Sequence, residues 1–346
     1  MLPKLAGVLS DDIAIDLGTA NTLVHVAGRG TIIDEPSMVA VRATGGERQI
    51  VAVGSEAQRI IGVAPEPLEA LYPLRDGVIA DFVATGVMLR EFIRRVRTAL
   101  RFRRPRILIS VPASATPVER RAVVDTAREA GARSVYLIAE PVAAMLGAGA
   151  PVQEATGTMV IDIGGGTTDI AIISRGRVIT ARSLRCAGHA MDEAIIRYVR
   201  RRHDLVIGQA SAEQIKIEAG TASERANGRD AEIHIRGREI RRARYKSVVL
   251  GPQHVAEALD GPISEIAEFA QRALEEVPAE VAADISQRGI VLTGGGAKLD
   301  KLDEELTRRL GVRCTLAEDP MRCVIKGAAQ ILEELATSNH LFLSTE

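Results

Sequence analysis

The stretch "IAIDLGTANTLVHV" (residues 13–26) returns, little changed, as "MVIDIGGGTTDIAII" (residues 159–173). In each copy an apolar run ends in Asp, a turn of Gly and Thr follows, and a second apolar run leaves it. Apolar runs flanking a short Gly-containing turn read as a strand–turn–strand hairpin. Meeting the phrase twice predicts a duplicated α/β chain, each half opening on the same hairpin.

The segments beyond each hairpin fit that reading. "RILISVP" (106–112) is a buried strand stopped by Pro. "TPVERRAVVDTAREAG" (116–131) carries Thr116 as N-cap, Pro117 at the first helical position and Glu119 to complete a capping box. "SVYLI" (134–138) is the next strand. Between the first hairpin and these elements, short strands are expected at Met38–Val41 and Ile50–Val53. A helix is expected from Asp81 to about Leu100, because Phe82, Leu89, Phe92, Ile93, Val96 and Leu100 follow helical spacing. In the second half a strand is predicted at 177–184 and helices at about 190–203 and 211–220. Two strands with a charged connection fit 231–250, and a long helix fits Pro252 to Glu275. The strand "GIVLT" (289–293) then leads through "GGGA" to a helix, a strand at Val312–Leu316 and a closing helix at about Cys323–Leu335. Helices and strands alternating at this rhythm indicate an α/β fold.

Composition narrows the function classes. At 346 residues the chain is long enough for two cores, and 46% apolar residues with 3% aromatics and no Trp make those cores aliphatic. The 44 basic and 45 acidic residues leave a net charge of -1, so no overall field favours nucleic acid. Cys186, Cys314 and Cys323 show no CxxC spacing, and a reduced, cytoplasmic chain is expected. No run of 18 apolar residues is present, and the N-terminus is too soon acidic for a secretory signal.

A tight Gly/Thr turn offers backbone N–H groups and hydroxyls to an anion, and an Asp ending the preceding strand can hold Mg²⁺ beside it. Two such turns suggest loops gripping a nucleotide's phosphates from both sides of a cleft. A third cluster, Gly294, Gly295, Gly296 and Ala297, would let a flat base lie against bare backbone near a helix N-terminus. Glu140, between a strand end and Pro141, stands where ligands gather in open α/β sheets.

"DLGTANT", "DIGGGTTD" and "TGGGA" resemble the phosphate-1, phosphate-2 and adenosine motifs of the actin, sugar-kinase and heat-shock chaperone ATPase superfamily. "DEPSMVAVR", "RDGVIADF", "VPASATPVERRAV", "EPVAAMLGAGAPVQEATGTMVIDIGGGTTDIAII", "MDEAIIRYVRR", "SAEQIKIEAGTA" and "LTGGGAKLDKLD" resemble the MreB family of bacterial actin homologues, from about Asp12 to Leu335. The resemblance implies an actin-like ATPase fold of two lobes with ATP between them. It divides the chain into lobe I (12–155 plus 323–338, small insert about 32–77) and lobe II (156–322, small insert about 185–255). A segment at 1–11 and a polar tail at 339–346 flank them. It implies filaments beneath the inner membrane that direct cell-wall synthesis and rod shape.

The same resemblance implies roles for individual residues. Asp16 and Asp162 fall at the metal-side carboxylates. Gly18, Thr19, Ala20 and Asn21 form the first phosphate turn, and Gly164, Gly165, Gly166 and Thr167 the second. Ala212, Glu213, Gln214, Ile215 and Lys216 ("AEQIK") flank the nucleoside, with Gly294 to Ala297 beside it. Glu140 and Thr167 are the catalytic pair, Glu140 positioning or activating the attacking water. His189 departs from the pattern, standing where relatives usually carry an acidic residue, while Asp192 is kept. Basic "GREIRRARYK" (237–246) reads as a solvated face.

Three readings compete. A filament-forming ATPase fits the whole chain. A sugar-type kinase on the same fold would need a further carboxylate base and a substrate pocket. A chaperone would need a substrate domain after the nucleotide domain, and only about ten residues follow the last helix. Met1, Leu2, Leu5, Val8 and Leu9 fall on one side of a helix, which suggests a short membrane-surface segment. Leu100 and Phe102 offer a second insertion point. The partners that the resemblance implies are further copies of the chain, the inner-membrane surface and membrane proteins of the cell-wall elongation machinery.

Overall fold

The computed structural model of the chain describes residues 12–44, 47–61, 68–96, 104–152, 154–223, 232–240, 244–333 and 344–345. The expected membrane-surface residues Met1 to Leu9, the insertion point at Leu100 and Phe102, and most of the polar tail lie outside them.

Two sheets of the same topology carry the molecule. In the first, Ile13–Leu17 pairs antiparallel with Asn21–Val26 across the first turn and parallel with Arg106–Val111. Arg106–Val111 in turn pairs parallel with Ser134–Ala139, and Gly30–Pro36 extends the hairpin. In the second, Thr158–Ile163 pairs antiparallel with Thr168–Ser174 and parallel with Ile290–Thr293. There Cys314–Leu316 follows in parallel and Arg177–Leu184 extends the hairpin. The repeated sequence phrase is thus a repeated sheet centre. Thr158–Ile163 is buried at every position, as befits a strand covered on both faces.

Each sheet carries a small three-stranded insertion. Val39–Thr44, Glu47–Val53 and Leu68–Leu71 form one. Leu205–Val206, Ile233–Glu239 and Tyr245–Leu250 form the other.

The helix Pro117–Glu129 begins as its sequence predicts. Thr116 Oγ1 accepts from the Glu119 N–H at 3.2 Å, and Glu119 Oε2 accepts from the Thr116 N–H at 2.7 Å. One expectation needs correction. Phe82 opens the helix Phe82–Val96 but is 54% exposed, because the buried stripe starts one turn later and runs through Met88, Leu89, Phe92, Ile93 and Val96. Ala279–Arg288, to which the sequence reading assigns no element, is a helix that buries only Ile285 and so leaves little apolar periodicity to read.

Two helices join the sheets. Glu140–Gly147 lies against the second sheet and Cys323–Glu333 against the first, and they pack on each other. Their apolar faces form one cluster with both sheets: Ala14, Leu108 and Ile138 on one side, Val160, Ala171 and Ile173 on the other, and Val142, Met145, Ile325 and Ile331 between. The thiols of Cys186, Cys314 and Cys323 are buried, and burial pushes them up to about 12, 11 and 11 respectively.

Candidate functional site

The two hairpin turns face each other across one cavity of about 470 Å³, within the range of small-ligand sites. At its floor the duplication extends to single hydrogen bonds. Asp16 ends the first central strand, and Ser110, its register partner on the parallel neighbour, donates to Asp16 Oδ1 at 2.9 Å. Asp162 ends the second central strand, and Thr293, in the same register position, donates to Asp162 Oδ1 at 2.8 Å.

Glu140 and Asp169 complete a group of carboxyls. Glu140 begins the connecting helix and is 8% exposed. Asp169 pairs with Asp162 across the hairpin and accepts from the Ala113 N–H at 3.1 Å. Burial pushes Asp162 up to about 7, with the charges of Asp169 and Asp16 adding and the Thr293 hydroxyl opposing. Burial likewise lifts Asp16 and Asp169 to about 6 each. Glu140 rises well above the ordinary carboxyl range through burial first, then the charges of Asp169, Asp16 and Asp162. The floor therefore holds more negative charge than it can comfortably keep.

Above it the turns touch. A Cβ on Gly165 would lie 2.9 Å from the Ala20 Cβ, and one on Gly166 would lie 2.9 Å from Thr19 Oγ1, so only glycine permits the approach. The first turn is braced by Ser37 Oγ donating to the Gly18 carbonyl at 2.6 Å and by the Gly77 N–H donating to Thr19 Oγ1 at 2.8 Å. The second is closed by the Gly164 N–H donating to the Thr167 carbonyl at 2.9 Å. The start of the helix Gly188–His203 holds it from behind, where the Gly188 and His189 N–H groups donate to the carbonyls of Gly164 and Gly165.

The remaining expected residues divide. Glu213 and Lys216 of the helix Gln209–Ala219 line the cavity, and Lys216 Nζ holds Asp192 Oδ1 at 2.7 Å and the Gly188 carbonyl at 3.0 Å. Ala212 and Ile215, on the adjoining face about a quarter-turn round the helix, are buried in the core of the second lobe. Gln214 is exposed and donates to Glu218 at 2.9 Å. Gly294, Gly295 and Gly296 line the cavity, while Ala297 is buried beneath it. Gly294 has φ +85°, and a Cβ there would sit 2.7 Å from Asp162 Oδ1. The expected helix N-terminus is displaced: a 3-10 turn, Gly296–Lys298, intervenes, and the helix starts at Leu302.

Sequence reading missed Asp169 as a member of the carboxyl group, although a hairpin folded about Gly164–Thr167 sets residue 169 opposite 162. It also missed the cavity-lining Ile217, Leu299 and Met321, which no motif marks. Among the described residues, no three His, Cys, Asp or Glu side chains form a ready metal-ligand cluster. The floor instead fits a divalent cation held by Asp16 and Asp162 that completes its oxygen shell from phosphate and water.

A duplicated pair of sheets, hinged on two helices and closing on a glycine-lined, carboxyl-floored cleft, is the actin-like class of two-lobed proteins. The comparisons agree. The family model described as MreB/Mbl protein matches residues 10–340. The cell shape-determining protein MreB of Escherichia coli (strain K12) is 47% identical over 336 residues, covering 96% of each chain. The cell shape-determining protein Mbl of Bacillus subtilis (strain 168) is 43% identical over 324 residues, covering 94% of this chain and 96% of its own. MreB5 of Spiroplasma citri bound to AMPPNP superimposes with TM-score 0.87 at 33% identity, over 94% of this chain and 96% of its own. MamK, in a double helical filament, shares the fold with TM-score 0.76 at 22% identity, over 93% of this chain and 99% of its own.

The chain belongs to the MreB/Mbl family of actin-like cell-shape proteins. Relatives of this kind do not favour the sugar-kinase reading.

Proposed function

We propose that this protein is a cytoskeletal ATPase that assembles into filaments at the inner face of the cell membrane, where it directs cell-wall synthesis and rod shape. The observation that carries the nucleotide part is the pairing of two glycine turns and two strand-end carboxylates, one of each from either sheet, across a single cavity. The Spiroplasma citri relatives bound to AMPPNP and to ADP, each 33% identical, support ATP as the ligand.

Asp16 and Asp162 would hold Mg²⁺, which neutralises charge on the phosphates. Backbone N–H groups of Gly18 to Asn21 and Gly165 to Thr167 bind the phosphate oxygens, with Gly164 closing the second turn through its own N–H, while Glu213 and Lys216 border the nucleoside. Glu140 holds the attacking water and accepts its proton. A carboxyl whose proton affinity is raised by burial and by three acidic neighbours is a stronger base than an exposed Glu. Thr167 supports the site through its carbonyl, which fixes the turn, and through its hydroxyl, which helps keep Asp169 ionised.

Because both lobes contribute to the site, bound nucleotide fixes their relative position, and we take that position to set the surfaces from which filaments grow. The lobes are assigned as 12–155 plus 323–338 and 156–322. No described helix is long and apolar enough to cross a membrane, so attachment is assigned to the amphipathic residues 1–11, helped by Leu100 and Phe102. Membrane proteins of the elongation machinery are the further partners.

The experiment is high-speed pelleting of purified protein with ATP and Mg²⁺, phosphate release measured alongside, and phosphate transfer to a panel of sugars as the control. Nucleotide-dependent pelleting with phosphate release is expected. Transfer to a sugar without polymer would overturn the reading.

A further inference from the structure

His189 is half-buried on the cleft wall, at the position where an acidic residue was expected. Its N–H is committed to the Gly165 carbonyl at 2.8 Å, which sets the first helical turn against the second glycine loop. Its ring also lies against that loop, since a Cβ on Gly165 would sit 3.6 Å from His189 Nε2. The cavity's two lysines are engaged elsewhere. Lys216 is held by Asp192 and the Gly188 carbonyl, and Lys298 reaches Met321 Sδ at 3.8 Å.

The charges around the imidazole follow from the packing. Asp192 lies on its own helix; burial raises its proton affinity, opposed by Lys216 and, least, by His189. Lys216 and Glu213 face it from the helix Gln209–Ala219. The loop Gly164–Gly166 has no titratable side chain, and Asp162 and Asp169 flank it along the hairpin. Asp192 and Lys216 largely cancel as a pair, so a polyphosphate in the second turn would be the strongest new charge the ring meets.

We propose that His189 contacts the nucleotide's phosphates through Nε2, and that its protonation makes nucleotide retention depend on pH. The proposal rests on the nucleotide reading of the cleft. A bound anion favours the imidazolium over the neutral ring, so the gain in binding is greatest at the acid end of the range and is lost as pH rises. Charge-assisted N–H donation to a phosphate oxygen is the source of the gain. In acid conditions the protein should release spent nucleotide more slowly.

The test uses the full chain, mant-labelled ADP with Mg²⁺, and pH from about 6 to about 8.5, for wild type, His189→Gln and His189→Lys. Asp16, Asp162, Asp169 and Glu140 are common to all three proteins, so the ratio between them reads position 189 together with its effect on Asp192. Wild type should bind about 10-fold more tightly than His189→Gln at about pH 6, from one charge-assisted contact, and equally at about pH 8.5. His189→Lys, positive throughout, should stay tighter than His189→Gln at both ends. Superimposable pH profiles for wild type and His189→Gln would overturn the proposal while leaving the nucleotide reading intact. Absence of mant-ADP binding by wild type at every pH would overturn both.

Discussion

Gly147 and Gly327 meet backbone to backbone where the two connecting helices cross. A Cβ on Gly147 would lie 2.8 Å from the Gly327 nitrogen, and one on Gly327 would lie 2.9 Å from the Gly147 nitrogen and press into the Ala143 carbonyl oxygen. Helices packed this closely join the two sheets through backbone contact rather than through long side chains. Gly327→Ala should force the helices apart, and overpacking of this kind costs roughly 1–3 kcal/mol. A drop in Tm of about 2–10 °C by scanning calorimetry is the expected outcome. An unchanged Tm would show that the crossing yields without cost.

Asp162→Ala removes one of the two opposed carboxylates and strands the Thr293 hydroxyl that donates to it. Mg²⁺-dependent ATP affinity and hydrolysis should fall together. Isothermal titration with and without Mg²⁺, beside phosphate release, checks this, and wild-type turnover in the variant would refute the two-carboxylate floor.

Glu140→Ala should separate binding from chemistry. ATP affinity should stay within about 3-fold while hydrolysis slows by about 10²–10⁴, the usual worth of an acid–base group. Filaments should then outlast those of wild type in a light-scattering assay. Hydrolysis at the wild-type rate would leave Glu140 as no more than an acid at a helix start.

The crowded floor also predicts a pH dependence of stability. Asp16 at about 6 and Asp162 at about 7 hold protons in the folded protein that the unfolded chain, with Asp near 3.8, has released. The folded state thus binds more protons across that interval, and stability falls as pH rises from about 4 to about 7. The stabilisation from Glu91 and Glu305, both held down at about 2 by arginine partners, is complete above about pH 4.5 and is lost only below it, so it does not mask the slope. Nucleotide-free protein should melt higher at about pH 5.5 than at about pH 7.5, and Mg²⁺ with nucleotide should reduce the difference. A flat profile without nucleotide would contradict the charge crowding.

The sequence was most readable where local chemistry and tertiary structure ask for the same residues. The hairpins at 13–26 and 159–173, the capping box at Thr116 and Glu119, and the helix Pro252–Glu275 all emerge where pattern alone sets them. Legibility failed where a residue's role depends on what stands opposite. Apolar Ala212 and Ile215 beside charged Glu213 and Lys216 form a pattern that marks the core side locally, but the cleft that Glu213 and Lys216 border exists only once the helix has packed. The touching of Gly165 with Ala20 and the crossing at Gly147 and Gly327 join residues far apart in the chain, and a glycine read singly does not reveal its neighbour.

The burial of Cys323 turns the hinge into its own reporter. This thiol sits at the start of the helix Cys323–Glu333, 2% exposed, with Sγ donating to the Asp319 carbonyl at 3.3 Å. Cys186 and Cys314 lie in the core of the second lobe, away from the helix crossing. While the helices stay together, Cys323 is shielded and poorly ionised, and so inert to alkylation. Parting of the helices is the motion that would expose it. The rate at which a maleimide labels Cys323, followed by mass spectrometry against the two control thiols, therefore counts partings of the two helices through a thiol the chain already carries.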